Sequence, residues 1–327
     1  MRRALPSLLA VLLLASGCLD INFDPPSIVK GPRILAALAN PPEALFGEDI
    51  HFEVLAVDQN AEDLTTQEGV EVRWTVCLSV EQIIDAAGLG GGAGFADDCP
   101  PDQTLVLEED GSPSRAFLPG ETLLGILTMI PMGGGDPVPD PMIPGLDPSV
   151  LSTLTTVIAE VGVPLAVRIE VIRDGDVVIK AYKRFAITTR SGATLNPPPP
   201  RLTLGDVEVS ARAFLADPHA CVSGDGTLPT VAAGAELALM PNPLEDPWLE
   251  TYPVFDLAGE IIDNHETAYY SWFSTAGAFE SEITQRPERD TTWTAPAEPG
   301  TYPIFVVVRD GHLGISWCRA DVVVTAN

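Results

Sequence analysis

The 327-residue sequence predicts a mainly β protein of two β-sandwich domains in tandem, the first interrupted by a long Gly/Pro-rich insertion that carries one short helix. Three observations lead there. Short runs of alternating apolar and polar residues recur in both halves of the chain. The run Pro197 to Pro200 removes four consecutive amide donors and suits an extended connector, which neither a helix nor a central strand accommodates. The 310 residues left after an export signal (327 less 17) fit two domains of ordinary size. The expected division is a signal at 1–17, a tether at 18–32, a domain at 33–190 with its insertion at 80–162, a linker at 191–200 and a second domain at 201–327.

Arg2 and Arg3 supply a positive start, and Ala4 to Leu14 form an apolar segment of secretory length, too short to span a bilayer. It ends Leu14-Ala15-Ser16-Gly17-Cys18, which resembles the bacterial lipobox, in which a cysteine after small residues receives the lipid. That resemblance makes Cys18 the lipidation site and the cell envelope the address. Enterobacterial lipoproteins are held at the inner membrane when Asp directly follows the lipidated cysteine. Here Leu19 stands in that place, which favours the outer membrane.

In the first domain, Arg33 to Leu38, Ile50 to Val57 and Val70 to Cys77 read as strands, the third carrying Trp74. Pro164 to Ile172 and Val177 to Thr188 are two longer runs joined by Arg173-Asp174-Gly175-Asp176, a hairpin signal. Between them, Gly88 to Gly94, Met132 to Asp136 and the prolines from Pro131 to Pro148 exceed what a sandwich loop needs and mark the insertion. Within it, Asp147-Pro148-Ser149 caps an expected helix through Val150, Leu154, Val157 and Val161 to Gly162. Short strands, a tryptophan on the third and a closing hairpin fit an immunoglobulin-like sandwich.

The second domain offers strands at Leu202 to Phe214, Glu236 to Met240, Tyr269 to Ser274, Thr291 to Thr294, Tyr302 to Arg309 and Ile315 to Thr325. Pro299-Gly300 breaks the chain before a strand, Tyr302, Ile304, Val306 and Val308 share one face, and Asp310-Gly311 turns into the last strand. The run Trp293 to Gly311 is similar to the closing strands of PKD-like and related immunoglobulin-like modules of bacterial surface proteins. That resemblance covers about the last 60 residues and implies a second sandwich with Trp272 buried on its third strand. PKD modules carry Trp-x-Phe-Gly-Asp-Gly where this chain has Trp272-Phe273-Ser274-Thr275-Ala276-Gly277. The whole layout, from lipobox to Tyr269-Tyr270-Ser271-Trp272-Phe273, resembles uncharacterised lipoproteins of myxobacteria, which bring no known activity.

Acidic residues number 46 against 18 basic, and removal of Arg2 and Arg3 with the signal leaves a formal charge of −30. Such a chain repels phosphate backbones, which argues against nucleic acid, and leaves contact with the bilayer to the acyl chains. Besides Cys18 there are four cysteines, an even set in a compartment that permits disulfides. Three pairings exist on paper. Cys77 with Cys99 and Cys221 with Cys318 keep each bridge inside one domain, and each stabilises by about 3 to 5 kcal/mol on the loop-entropy model. Zinc is disfavoured by the lack of any Cys-x-x-Cys.

No Gly-x-Ser-x-Gly, His-Glu-x-x-His, Walker loop or Ser-x-x-Lys set of the β-lactamase kind assembles chemistry in this chain, so no catalytic residue is assigned. Gly88-x-Gly90-x-x-Ala93 matches a dinucleotide fingerprint formally, yet lacks the strand before it and the helix after it. His265-Glu266 beside Asp263, and Asp310-Gly311-His312, hold imidazole near carboxylate, an arrangement common on acidic surfaces. Glu108-Glu109-Asp110 and Glu288 with Asp290 are carboxylate pairs of the kind glycosidases use, expected by chance among 46 acids. Asp58, Asn60 and Asp63, on a loop after a strand, are calcium candidates without EF-hand spacing, as Asp97-Asp98 are on another loop.

The expected function is a non-enzymatic, membrane-anchored surface lipoprotein, structural or binding an envelope protein or glycan, with no cofactor. The alternative is a glycan-active enzyme or calcium-dependent carbohydrate binder. A third reading has Leu123 to Ile130 pairing with a partner, although such runs are more often buried strands.

Overall fold

The computed structural model describes residues 26–78, 99–122, 161–190, 194–211, 219–242, 248–255 and 260–327. The signal, Cys18, the Gly88 run, Asp97-Asp98, Leu123 to Ile130 and the expected helix up to 160 lie outside them.

The first sandwich contains β1 (Arg33–Asn40), β2 (Glu43–Leu45), β3 (Ile50–Val57), β4 (Val70–Cys77), β5 (Thr104–Val106), β6 (Glu108–Glu109), β7 (Arg115–Leu118), β8 (Val163–Arg173) and β9 (Asp176–Thr188). One sheet runs β1-β3-β7-β6 and the other β2-β9-β8-β4-β5. After Asn40 the two prolines, which have no amide to donate, end β1, and the chain crosses to the opposite sheet, where β2 pairs parallel with β9. Trp74 fills the centre, packed near Phe52, which meets Phe185 edge-on at 5.2 Å. The segment read as insertion therefore includes sandwich strands: β7 pairs with β3, and Ala116 and Leu118 are buried in the core.

The second sandwich contains β10 (Leu202–Leu204), β11 (Val207–Ala211), β12 (Cys221–Ser223), β13 (Thr230–Ala232), β14 (Glu236–Pro241), β15 (Thr251–Phe255), β16 (Ile261–His265), β17 (Tyr269–Ser274), β18 (Ala278–Phe279), β19 (Ile283–Gln285), β20 (Thr291–Thr294), β21 (Gly300–Arg309) and β22 (Ile315–Thr325). Its sheets run β12-β11-β10-β14-β20-β18 and β13-β22-β21-β17-β19, with β15 and β16 a separate hairpin. The expected single strand from Leu202 is instead two, because Gly205, at φ 62°, turns the chain back and β10 pairs with β11.

With β11 and β12 set aside as an added edge, the two sandwiches share the order of their main strands, each with a short strand parallel to its last, and differ at one edge: the first short strand after the tryptophan strand pairs with that strand in the first sandwich (β5) and joins the opposite sheet in the second (β18). Both are immunoglobulin-like. Trp272 is fully buried on β17, and its indole N–H donates to Thr284 Oγ1 at 3.0 Å. Both expected disulfides are present: Cys77–Cys99 spans 22 residues, and Cys221–Cys318 spans 97 and ties one sheet of the second sandwich to the other.

The two sandwiches pack directly on one another. Phe305, Val307, Ile315 and Trp317, on the outer face of β21 and β22, are buried against Leu35, Ala36, Val57 and Ala61 of the first sandwich. The continuous apolar run Ile304 to Val308 serves two cores, one per face. Two connectors close this joint. Asn196 of the linker donates to Ala39 O at 2.7 Å and accepts from Ile315 N at 3.0 Å, while Ser316 Oγ donates to Pro198 O. At the N-terminus, Ser27, Ile28 and Val29, inside the segment read as a tether, are buried, and Val29 N donates to Ser274 O at the end of β17.

Candidate functional site

The joint is where the charged chemistry of the described residues gathers. In β1 a bulge between Ile34 and Ala36 takes Leu35 out of the ladder with β3, and its carbonyl accepts from Arg309 Nη2 at 3.4 Å. Arg309 Nη1 donates to Ser271 Oγ at 2.9 Å, and the guanidinium lies 5.7 Å from the Tyr269 ring centroid. Across the joint, Lys183 shares a face of β9 with the core residue Phe185, yet its Nζ donates to Leu313 O of the other sandwich. Lys183, Arg309, Tyr269, Tyr182, Arg184 and His312 line a groove of about 490 Å3 between β1 and β9 on one side and β17 and the β21–β22 turn on the other.

Behind the groove lies a cluster of buried polar side chains. Asp310 organises the turn: its Oδ1 accepts from His312 N at 2.8 Å and Gly314 N at 3.1 Å. Gly314 is obligatory, since a Cβ there would sit 1.9 Å from Asp310 Oδ2 and 2.8 Å from Pro197. Thr267 N donates to Asp310 O, which brings Glu266 beside the turn. Glu266 Oε2 accepts from Glu250 N, and the His312 ring stacks on Tyr252 at 3.6 Å. Asp310 Oδ2, Glu266 Oε1 and His312 Nδ1 are buried without hydrogen-bond partners among the described residues. His312 Nδ1 and Glu266 Oε1 stand 3.9 Å apart, beyond bonding distance.

Burial, reinforced by Asp310, Glu250 and Glu43, raises the Glu266 pKa to about 8. Burial raises Asp310 to about 6 against the pull of the His312 and Gly314 amides and Lys183. It lowers His312 to about 4 and Lys183 to about 8. Glu43 behaves oppositely: burial raises its pKa, but Arg190 and Thr194, both bonded to its carboxylate, bring the net shift below the ordinary value.

A second node flanks the apolar part of the joint. His219 stacks on Trp317 at 4.1 Å and reaches Glu53 Oε1 at 3.5 Å, while Arg319 Nη1 donates to Ala61 O at 3.0 Å. Burial raises the Glu53 pKa, and His219 and Arg115 outweigh it, so the carboxyl stays below its usual range.

Two sequence clusters, Glu266 and Asp310-His312, thus meet, and both lie inside the molecule rather than on the acidic surface where they were expected. Strand pairing decides this, since β17 lies beside β21 and places the chain before β17 against the turn after β21. His265 is exposed on β16, with its Nδ1 3.1 Å from Thr251 Oγ1 and Glu250 O, and Asp263 is exposed too. Asp110 pairs with His51 on the surface, and Glu288 and Asp290 are exposed. Of the calcium candidates, Asp58 accepts from Asn60 N, Glu62 N and Gln67 Nε2, and Asp63 caps the short 3-10 helix Leu64–Thr66 through Thr65. Asn60 itself is exposed. Among the described residues no group of three His, Cys, Asp or Glu is arranged for a metal ion. Lys183, Arg309, Glu43 and Glu250 were not singled out in the sequence, where the usable signal was a cation ending or interrupting an otherwise apolar strand.

No family model and no curated protein matches the sequence. Among solved structures, the chain is similar to the D0-D1 domain of intimin at 12% identity, with 90% of this chain and 96% of that one covered and a TM-score of 0.19. It is similar to Sidekick-1 immunoglobulin domains 1-4 at 11% identity, over 90% and 49%, with a TM-score of 0.21. A nucleoside hydrolase-related hypothetical protein from Saccharophagus degradans matches at 12% identity over 42% of this chain, with a TM-score of 0.25, and the chain spans 28% of its length. The immunoglobulin-like assignment rests on the strand order itself.

Proposed function

We propose that the protein is a non-enzymatic, lipid-anchored binding module of a bacterial cell envelope, held through Cys18 and facing an envelope protein or a glycan. The observation that carries this reading is the groove at the joint, whose walls come from both sandwiches and whose charged lining residues are cations. A glycosidase-like site needs two carboxylates reaching a bound substrate. Three carboxyls here are raised, Glu266, Asp310 and Glu250; the first two are 4% and 0% exposed, and none of the three lines the groove. The lipobox at Cys18 and the acidity of the mature chain support an anchor made by acyl chains alone. Residues Ser27 to Val29, nine to eleven positions after Cys18, bond to the second sandwich, so the anchor and the folded body are separated by a short segment.

The test is intact mass and membrane fractionation of the wild type beside Cys18→Ser. The expected result is lipid mass and membrane association that the variant loses. A wild type that stays unlipidated and soluble overturns the anchor.

A further inference from the structure

The groove at the joint has a property that the composition makes unusual. With 46 acids for 18 bases, a cation of this chain has carboxylates available in excess, yet Lys183 and Arg309 are held by neutral oxygens. Among the described residues neither makes an ion pair within 4.0 Å. Lys183 is only 9% exposed and Arg309 is half-buried, so both have lost part of their water; Asp310 acts on Lys183 through space, but no carboxylate among the described residues bonds to either cation. Arg184, exposed on the same wall, adds a third cation. Tyr182 and Tyr269, both half-buried, supply ring faces and hydroxyls beside these charges. The volume of about 490 Å3 lies in the range of small-molecule sites. Elsewhere the acidic surface repels anions, so an anion is focused onto this concavity.

We propose that the groove binds an acidic saccharide of one or two rings, its carboxylate held by Arg309 and Lys183 and its ring lying against the tyrosine wall. This rests on the reading of the protein as a binding module and names its ligand class. Planar Arg donors match a carboxylate, and a hydroxylated ring suits a lining of tyrosines and main-chain groups better than a purely apolar ligand does. Asp310, behind the turn, is the acidic group closest in effect to Lys183, and Glu250, Glu266 and Glu43 lie behind it rather than in the groove.

The test is calorimetric titration of the detergent-solubilised full chain with digalacturonate, with neutral digalactose and with sulfate. Digalacturonate is expected to bind at least about tenfold more tightly than the other two, and more weakly in about 0.5 M salt. Arg184→Glu, at the rim, is expected to weaken it about tenfold with an unchanged melting temperature, and Arg309→Gln to weaken it further. Equal binding of digalactose overturns the role of the carboxylate, and equal binding of sulfate reduces the groove to a plain anion site and overturns the saccharide. If nothing binds to folded protein, the ligand class is wrong. In that case envelope cross-linking that still depends on the groove variants leaves the module reading standing, and its absence removes both.

Discussion

Glu266 shows how much one buried side chain decides. Its carboxyl faces Asp310, Glu250, His312 and Tyr252, with Glu43, Arg190 and Lys183 further along the joint. In the unfolded chain it ionises near its ordinary 4.5, in the folded chain near about 8. Its stabilising contribution is therefore fully present below pH 4.5 and is lost as the pH rises toward 8. Asp310, raised to about 6, adds to that loss at lower pH. His312 opposes it below its ordinary 6.5, because there the unfolded chain binds the proton that the folded ring refuses. Lys183 contributes the opposite trend only above about 8. Between pH 6.5 and 8 Glu266 leads the trend, with Glu250, also raised by burial, acting in the same direction, and stability to urea is expected to fall by about 1 to 2 kcal/mol across that window. Glu266→Gln is expected to flatten the profile, and an unchanged slope in that variant would sink the assignment. Nothing in the local sequence marks this residue, because His265-Glu266 reads like any solvated pair until the β21–β22 turn is laid against it.

At the scale of elements, the linker and β21 were each half legible. The tetraproline announced an extended connector, and the segment has neither helix nor ladder pairing. Its docking into the joint came from Asn196, whose amide satisfies Ala39 O in one sandwich and Ile315 N in the other. Asn196→Ala leaves both groups unpaired in a part-buried site, and a loss of about 1 to 3 kcal/mol in chemical denaturation is the expected outcome. A change below a few tenths of a kcal/mol would mean that water replaces the amide at no cost. In β21 the alternation Ile304, Val306, Val308 was readable as a core face. The apolar Phe305 and Val307 between them were the sign of a second buried face, which single-face alternation rules do not anticipate. The strands β5 and β7 escaped notice because they are short and surrounded by the Gly/Pro-rich sequence read as insertion.

Over the whole molecule, the outer face of the second sandwich is buried on the first, so the two are expected to unfold as one unit despite having separate cores. Phe305→Ala removes a buried ring from that joint, and with it the face that Arg319 covers, at a site outside both cores. Scanning calorimetry is expected to show one transition for the wild type and two for the variant. Two transitions in the wild type would show that the joint carries little energy.

The sequence alone determined the β class and pointed to the burial of Trp74 and Trp272, because local alternation and turn chemistry act over short distances; the two disulfide pairings followed from an even cysteine count only once the chain had been divided at the prolines. Only the tertiary structure decided that β1 meets β22, that Lys183 reaches Leu313, and that Glu266 and Asp310 lie buried together. Those contacts join residues far apart in the chain, and they are chosen by which apolar faces remain uncovered after each sandwich has closed, a property of the assembled surfaces rather than of any segment.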